Sequence, residues 1–506
     1  MSRLRLCGLL VAVTLYGADS LIWKVAPPAP ASWQRDRVED LSHRRQAVME
    51  RIGEHAMLLL YAAEPRNYAG DVDWPYRQEN NFYYLTGIAQ AGFSLALVPG
   101  GDGAHEVLFL PPPDPAHETW TGHMMTADEA RAISGIREIR DAASLDGFVA
   151  EAFPRARSIL NGASASHGTP PSLPPLSELY MLLPERPDPE FTREREFASR
   201  LGSVGPGIAI EDATPIFAGL RSVKSPREID LIRHAIDITA EAFQRAFAEA
   251  VPGAWEYEIQ AQFEFTFLRR NGHWGYPSIV GAGANATTLH YESNRARMAD
   301  GDLLLMDDGA EFDGYSADVT RTIPVNGRFT REQADIYRLV WEARQAAIRM
   351  AHPGHASYGA ADSMQAAVGE VLRPGLVKLG LMTDAASLSQ LRVWFPHGIS
   401  HGIGLNVHDP GGRDLREGMI VTVEPGLYFR PDALDNLPQT PENEKFAAAA
   451  RPAFERYKGI GVRIEDDVLI TAGEPKVLSS AIPSRLEEVE ETLARLRKAL
   501  RHSPLP

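Results

Sequence analysis

Apolar positions along the chain fall into two patterns. Short continuous runs, "AMLLLYA" at 56–62, "FSLALV" at 93–98 and "HEVLFL" at 105–110, are bounded by turn formers, as in buried strands. The second of these leads into a turn at Pro99 to Asp102. Spaced runs predict helices. Ile229, Ile232, Ile236, Ala240, Phe243 and Phe247 recur at three- and four-residue intervals and form one stripe. Ser225, Pro226 and Glu228 make a capping box that opens this helix near the Leu220 boundary. A second helix runs from Glu256 toward Arg270 and stops at Asn271-Gly272. Thr330 and Gln333 cap a third, which ends at Pro353-Gly354. The tail "SRLEEVEETLARLRKALRHS" reads as an amphipathic helix packed at an edge or a subunit contact.

Between these helices lie strand-like runs that carry acids. "DLLLMDDGAEFDGYSADVTRTIPV", "MIVTVEPGLYF" and "GIGVRIEDDVLIT" set β-favouring residues around carboxylates. The Pro-, Gly- and Ser-rich stretch 161–190 reads as a loop or insertion, and 431–456 as a further loop. "KVAPPAPAS", at 24–32, reads as an extended linker. The fold class expected is α/β (α+β). Residues 33–220 form an N-terminal domain, 221–483 a catalytic domain and 484–506 a tail helix.

Composition narrows the partners. The formal net charge of −16 argues against nucleic acid, whose phosphates require a surplus of Lys and Arg. Hydrophobic residues at 44% and charged ones at 23% are ordinary for a globular protein. Residues 1–22 have an export-signal layout, with Arg3 and Arg5 before an apolar run at 6–18, shorter than the ~20 residues of a membrane span. The expected location is periplasmic or extracellular if the segment is a signal, and membrane-anchored or cytoplasmic otherwise. Cys7, the only cysteine, lies within it, so removal of the segment leaves no thiol chemistry.

The candidate chemistry gathers around Asp307, Asp318, Glu424 and Glu465, each in or beside an apolar run. Singly, each could be a buried carboxylate paired with an arginine. Together, four anions in one pocket repel unless cations hold them, and two divalent ions balance them in charge. One neutral imidazole would complete an oxygen and nitrogen donor set suited to Mn, Co or Zn. His397, His401 and His408 lie in "HGISHGIGLNVHDPGG", where Gly398, Gly402 and Gly404 argue against a helix. His290 follows the glycine-rich "VGAGAN". Spacing alone leaves open which of the four histidines binds metal.

Five stretches, "LLLMDDGAEFDGYSADVTRTIPVNGRF", "HGISHGIGLNVHD", "IVTVEPGLY", "GIGVRIEDDVLIT" and "YRQENNFYYLTGI", resemble the aminopeptidase P and prolidase family of pita-bread metallopeptidases. The resemblance implies a C-terminal pita-bread domain and five metal ligands, Asp307, Asp318, His401, Glu424 and Glu465. Asp318 and Glu465 would bridge two ions, most simply Mn2+, with Co2+ or Zn2+ as alternatives. A bridging hydroxide would attack the Xaa-Pro carbonyl, and Glu424 would shuttle the proton. His290 and His408 would contact substrate and stabilise the tetrahedral intermediate, His397, Tyr428 and Arg463 would bind substrate in the pocket, and Arg463 would also support Glu465 and the pocket wall. The substrates implied are peptides with proline in the second position. A homo-oligomer, dimer or tetramer, is expected.

Two rival readings remain at this stage. The long segment after Tyr428 is also a prolidase feature, and a dipeptidase needs a cation for the substrate carboxylate, for which Arg413 and Arg416 are candidates. Other members of the fold only bind partners.

Overall fold

The computed structural model describes residues 23–100, 104–158, 160, 176–186, 188–202, 207–411 and 413–501. The export-like segment with Cys7, the end of the turn at Asp102 and residues 161–175 lie outside the described residues.

The first part of the chain builds a six-stranded sheet. Its order is Glu138–Asp141, His105–Leu110, Ser94–Val98, Ala56–Tyr61, Glu178–Met181, Ala209–Asp212. The strand Ala56–Tyr61 is central, antiparallel to Ser94–Val98 and parallel to Glu178–Met181. All six of its residues are buried, because both faces of the sheet are covered. Leu58 and Leu60 enter one apolar cluster, and Met57, Leu59 and Tyr61 the other. The continuous apolar run thus has its physical cause.

The loop expected at 161–190 is corrected at its described end. Glu178–Met181 is a strand in which Leu179 and Met181 are buried. Four residues with only two inward positions give a weak signal, and the prolines on either side obscure it.

The long helix forms as expected, over Pro226–Glu249. Glu228 N donates to Ser225 Oγ at 3.2 Å, and Ser225 N donates to Glu228 Oε2 at 2.9 Å. Ile232, Ile236, Phe243 and Phe247 are buried along its stripe. The linker at 24–32 packs on this helix at its start. Lys24 N donates to Gln244 Oε1 and Ala26 N to Glu241 Oε2, each at 2.9 Å. Helices Glu256–Arg269 and Arg331–Arg349 follow, and the tail helix Leu486–Leu500 buries Val489, Leu493 and Leu496. Among the described residues, no helix is long and apolar enough to cross a membrane.

The expected loop at 431–456 is also corrected. Pro441–Tyr457 is a helix capped by the Thr440 hydroxyl. Phe446, Ala450, Phe454 and Tyr457 are buried on one side of it, at helical spacing. The Phe454 ring stacks on Trp394 at 5.6 Å. Charged residues between these positions disguised the stripe.

Two antiparallel pairs position the acids. Leu303–Asp308 pairs with Val319–Pro324 in a register that sets Asp307 opposite Thr320. Between them a small hairpin turns at Asp313 and Gly314, with φ of 51° and 84°. An Asp-Gly turn with both φ positive matches the twist of its strands. Elsewhere Ile420–Val423 pairs with Asp466–Leu469, and Gly426–Tyr428 with Gly461–Arg463. The break between these two ladders falls at Glu424-Pro425 and Ile464-Glu465. Pro425 has no N–H to give, and Glu465 N donates instead to Thr320 O at 3.1 Å. That switch of partner brings Glu424 and Glu465 to the Asp307–Asp318 pair.

Candidate metal centre

The histidine segment is fixed by backbone bonds to the neighbouring strand. Thr422 N donates to His401 O, Glu424 N to Ile399 O and Ile403 N to Ile420 O. The segment is extended and irregular, as its glycines predicted. His401 therefore lies beside Glu424, with Nε2 3.4 Å from Glu424 Oε1 and 3.5 Å from Asp318 Oδ2. Donor atoms of Asp318, His401 and Glu465 all lie within 4.8 Å of one another.

These side chains line a cavity of about 330 Å³ together with Asp307, Glu424, His290, His397, His408 and Arg463. Tyr428 does not line it. Its hydroxyl accepts from Arg463 Nη1 at 3.0 Å and lies 2.9 Å from His397 Nε2, so it acts from behind the wall. Arg463 lines the wall and pairs with Glu465 as expected, but a second carboxylate lies closer. Its closest carboxylate is Asp307, paired through Nη2, while Glu465 Oε2 is 4.0 Å from Nε. Thr320 fills that gap, accepting from Arg463 Nε at 3.0 Å and donating to Glu465 Oε2 at 2.5 Å. Arg413 and Arg416, the candidate carboxylate anchors, lie off the cavity. Arg413 Nε donates to Tyr358 O, and Arg416 Nη2 donates to Ser222 Oγ.

Asp308 belongs to the opposite face of its strand, as alternation requires, and lines no part of the cavity. Sequence reasoning missed Tyr276, whose hydroxyl lies 2.7 Å from both Asp307 Oδ1 and Asp318 Oδ1. It precedes the strand Ile279–Ala282, and only the pairing of Ile279 with Asp307 brings it here. Thr320 was equally hidden, since its place depends on register.

The electrostatics suit cations. Burial, and after it the charges of Asp307 and Asp467, push Asp318 well above the usual carboxylate range. Burial, then Asp318 and Glu424, does the same to Glu465. Burial lifts Glu424 to about 7, against the pull of Arg463. In the protein alone these groups favour their acid forms, and bound divalent cations reverse that preference. Burial lowers His401 to about 4, His397 to about 3 and His408 below the ordinary imidazole value. Each imidazole is therefore neutral near pH 7, the form that can ligate a metal or accept a proton. The donor set and its electrostatics fit divalent metal.

A sheet domain stands ahead of paired antiparallel ladders, and an acid and histidine cluster able to hold metal lies at their junction. Residues 230–472 match the model of metallopeptidase family M24, and residues 41–160 match that of the aminopeptidase P N-terminal domain. The Xaa-Pro aminopeptidase of Escherichia coli is 34% identical over 475 residues, which cover 91% of this chain and 98% of that protein. Mouse Xaa-Pro aminopeptidase 3 is 31% identical, over 87% of this chain and 81% of that protein. The solved structure of E. coli aminopeptidase P with the inhibitor Pro-Leu superposes with a TM-score of 0.75. It is 33% identical, covering 91% of this chain and 99% of that one. The chain belongs to metallopeptidase family M24, with an aminopeptidase P N-terminal domain ahead of the catalytic one. It is a hydrolase, and the partner-binding alternative falls away.

Proposed function

We propose that this protein is a dinuclear Xaa-Pro aminopeptidase that releases the N-terminal residue from peptides with proline second. The observation that carries the reading is the junction of four carboxylates, Asp307 on a strand and Asp318, Glu424 and Glu465 at strand ends, with His401 around one cavity. Asp307, Asp318, His401, Glu424 and Glu465 would hold the two ions. Manganese is the first metal to test. When bound, the ions supply an activated water as nucleophile and polarise the scissile carbonyl.

The chain's own groups do the rest. Glu424, which faces the cavity, takes a proton from the attacking water and passes it to the proline nitrogen. That nitrogen belongs to a tertiary amide and has no proton of its own, so it must be protonated to leave. His408 and His290 face the cavity and hold the substrate carbonyl as charge builds on it. His397 and Tyr428, joined to each other, position Arg463 and the far wall.

Among the described residues lining the cavity, Arg463 is the only Lys or Arg, and Asp307 already engages it. No second cation awaits a dipeptide's carboxylate there, which favours longer peptides over prolidase substrates. The inhibitor Pro-Leu, bound by the E. coli relative, begins with proline as the leaving product would.

Metal-loaded protein is expected to cleave Ala-Pro-Ala and to leave Ala-Pro largely intact. Hydrolysis of Ala-Pro alone would make it a prolidase, and release from neither would defeat the reading. Export by residues 1–22 remains part of the proposal, and a mass of the secreted protein lacking them would support it.

A further inference from the structure

The segment between His401 and His408 closes on itself around a carboxylate. Asp409 N donates to Gly402 O at 2.9 Å, which ties the base of the loop. The Asp409 side chain turns inward, and its Oδ1 accepts from Asn406 N at 3.1 Å. A Cβ on Gly404 would lie 2.5 Å from Asp409 Oδ2, so the loop can hold the carboxylate only with glycine there.

Two cations from the segment ahead of the Pro226–Glu249 helix meet this anion. Arg221 Nη2 lies 2.5 Å from Oδ1 and Lys224 Nζ 2.8 Å from Oδ2, and all three side chains are at most 4% exposed. Arg221 reaches further. Its Nη2 also donates to Asn406 Oδ1, and its Nη1 donates to Asn81 Oδ1 at 2.7 Å. Asn81 lies in the helix Asn80–Thr86, within the stretch matched by the N-terminal domain model. Four residues earlier, Arg77 Nη2 donates to Leu405 O at 2.7 Å. The loop that presents His401 and His408, their rings 4.1 Å apart, is thus gripped from the other domain.

Burying three charges is a poor route to stability, because an apolar cluster of the same volume does as well. What such a network supplies is a single arrangement of the groups it ties together. We propose that Arg221 is a positioning residue that fixes the His401–His408 spacing through Asp409, and through Asn81 makes that spacing depend on the docked N-terminal domain. The domain then contributes to turnover. The inference rests on His408 contacting substrate in the reaction proposed above.

The test is a cycle of Arg221→Lys and His408→Ala, with kcat and KM on Ala-Pro-Ala, bound metal and Tm for each protein. Lysine keeps the charge but loses the fork that serves Asp409, Asn406 and Asn81 together. Arg221→Lys is expected to lower kcat on the order of tenfold, with KM and bound metal little changed. In the His408→Ala background the same change should cost nothing further, because it acts through that residue. Wild-type kcat in Arg221→Lys overturns the inference, and so does a full additional loss in the double variant, the mark of a general structural role.

His408→Ala with undiminished turnover would instead sink the role given to His408 in the proposed function. If Arg221→Lys fails to fold, Asn81→Ala, which removes the Nη1 partner together with the bond from Asn81 Nδ2 to Glu79 Oε1, enters the same cycle with the same outcomes. If His408→Ala is too slow to measure, a crystal structure of the Arg221→Lys or Asn81→Ala protein decides. A ring separation unchanged from that in a wild-type crystal structure of the same metal content overturns the inference, and a changed one supports it.

Discussion

Asp318 shows most sharply what a single residue contributes. It is buried beside Asp307 and Glu465, with His401 Nε2 3.5 Å away, so its removal takes a donor from the centre of the cluster. Asp318→Ala is expected to abolish peptide hydrolysis and lower bound metal, as read by elemental analysis of the purified protein. Glu424 makes a pH prediction. Its carboxyl is lifted to about 7 in the folded protein from 4.5, so metal-free protein gains stability as pH falls from about 7 toward 4.5 and loses it as pH rises through about 7. Glu424→Gln lacks that contribution. The difference in Tm between wild type and variant, measured with chelator, should therefore shift in favour of wild type on acidification. Metal stabilises in the opposite sense, since its ligands must be deprotonated, so the Tm increment from added metal should shrink over the same range. The residues named from sequence were those with intrinsic chemistry. Tyr276 and Thr320, ordinary in type, were invisible because only the register of their strands gives them a role.

At the scale of elements, legibility followed the strength of the pattern. The helix Pro226–Glu249 has a capping box, an N1 proline and a wide stripe, and all three signals agree. The helix Pro441–Tyr457 has a cap and a stripe too, but alanines and glutamates weaken its contrast with a loop. Its hold on the fold comes from aromatic packing. Phe454 is fully buried against Trp394, so Phe454→Ala should cost ~3–5 kcal/mol in denaturant unfolding. A loss below ~1 kcal/mol would mean that the helix lies loosely over the core. The strand Glu178–Met181 is the opposite case, since two inward residues cannot announce a strand without the neighbours that pair with it.

At the scale of the whole molecule, the two halves meet through polar contacts at the small hairpin. Asp313 Oδ1 accepts from Tyr83 OH at 2.7 Å and pairs with Arg37 at 3.4 Å, while its backbone holds a φ of 51°. Asp313→Ala loses the carboxylate and strains the turn, for an expected cost of about 2 kcal/mol, and Asp313→Gly should cost less because it relieves the φ. Chemical denaturation of both variants checks the order. The sequence by itself determined the α/β class, the capped helices, the acidic strands and the family, because these rest on local periodicity and on motifs that stay contiguous in the chain. It also named the cavity's acids and histidines, since few other residue types carry that chemistry. Only the tertiary structure decided how they meet. Asp307 faces the cavity and Asp308 does not, Arg463 pairs with Asp307 ahead of Glu465, and Arg413 and Arg416 lie outside. These depend on strand register or on contacts between residues distant in the chain, up to 156 positions for Arg463 with Asp307 and 194 for Arg416 with Ser222, and local sequence has no means of encoding them one at a time.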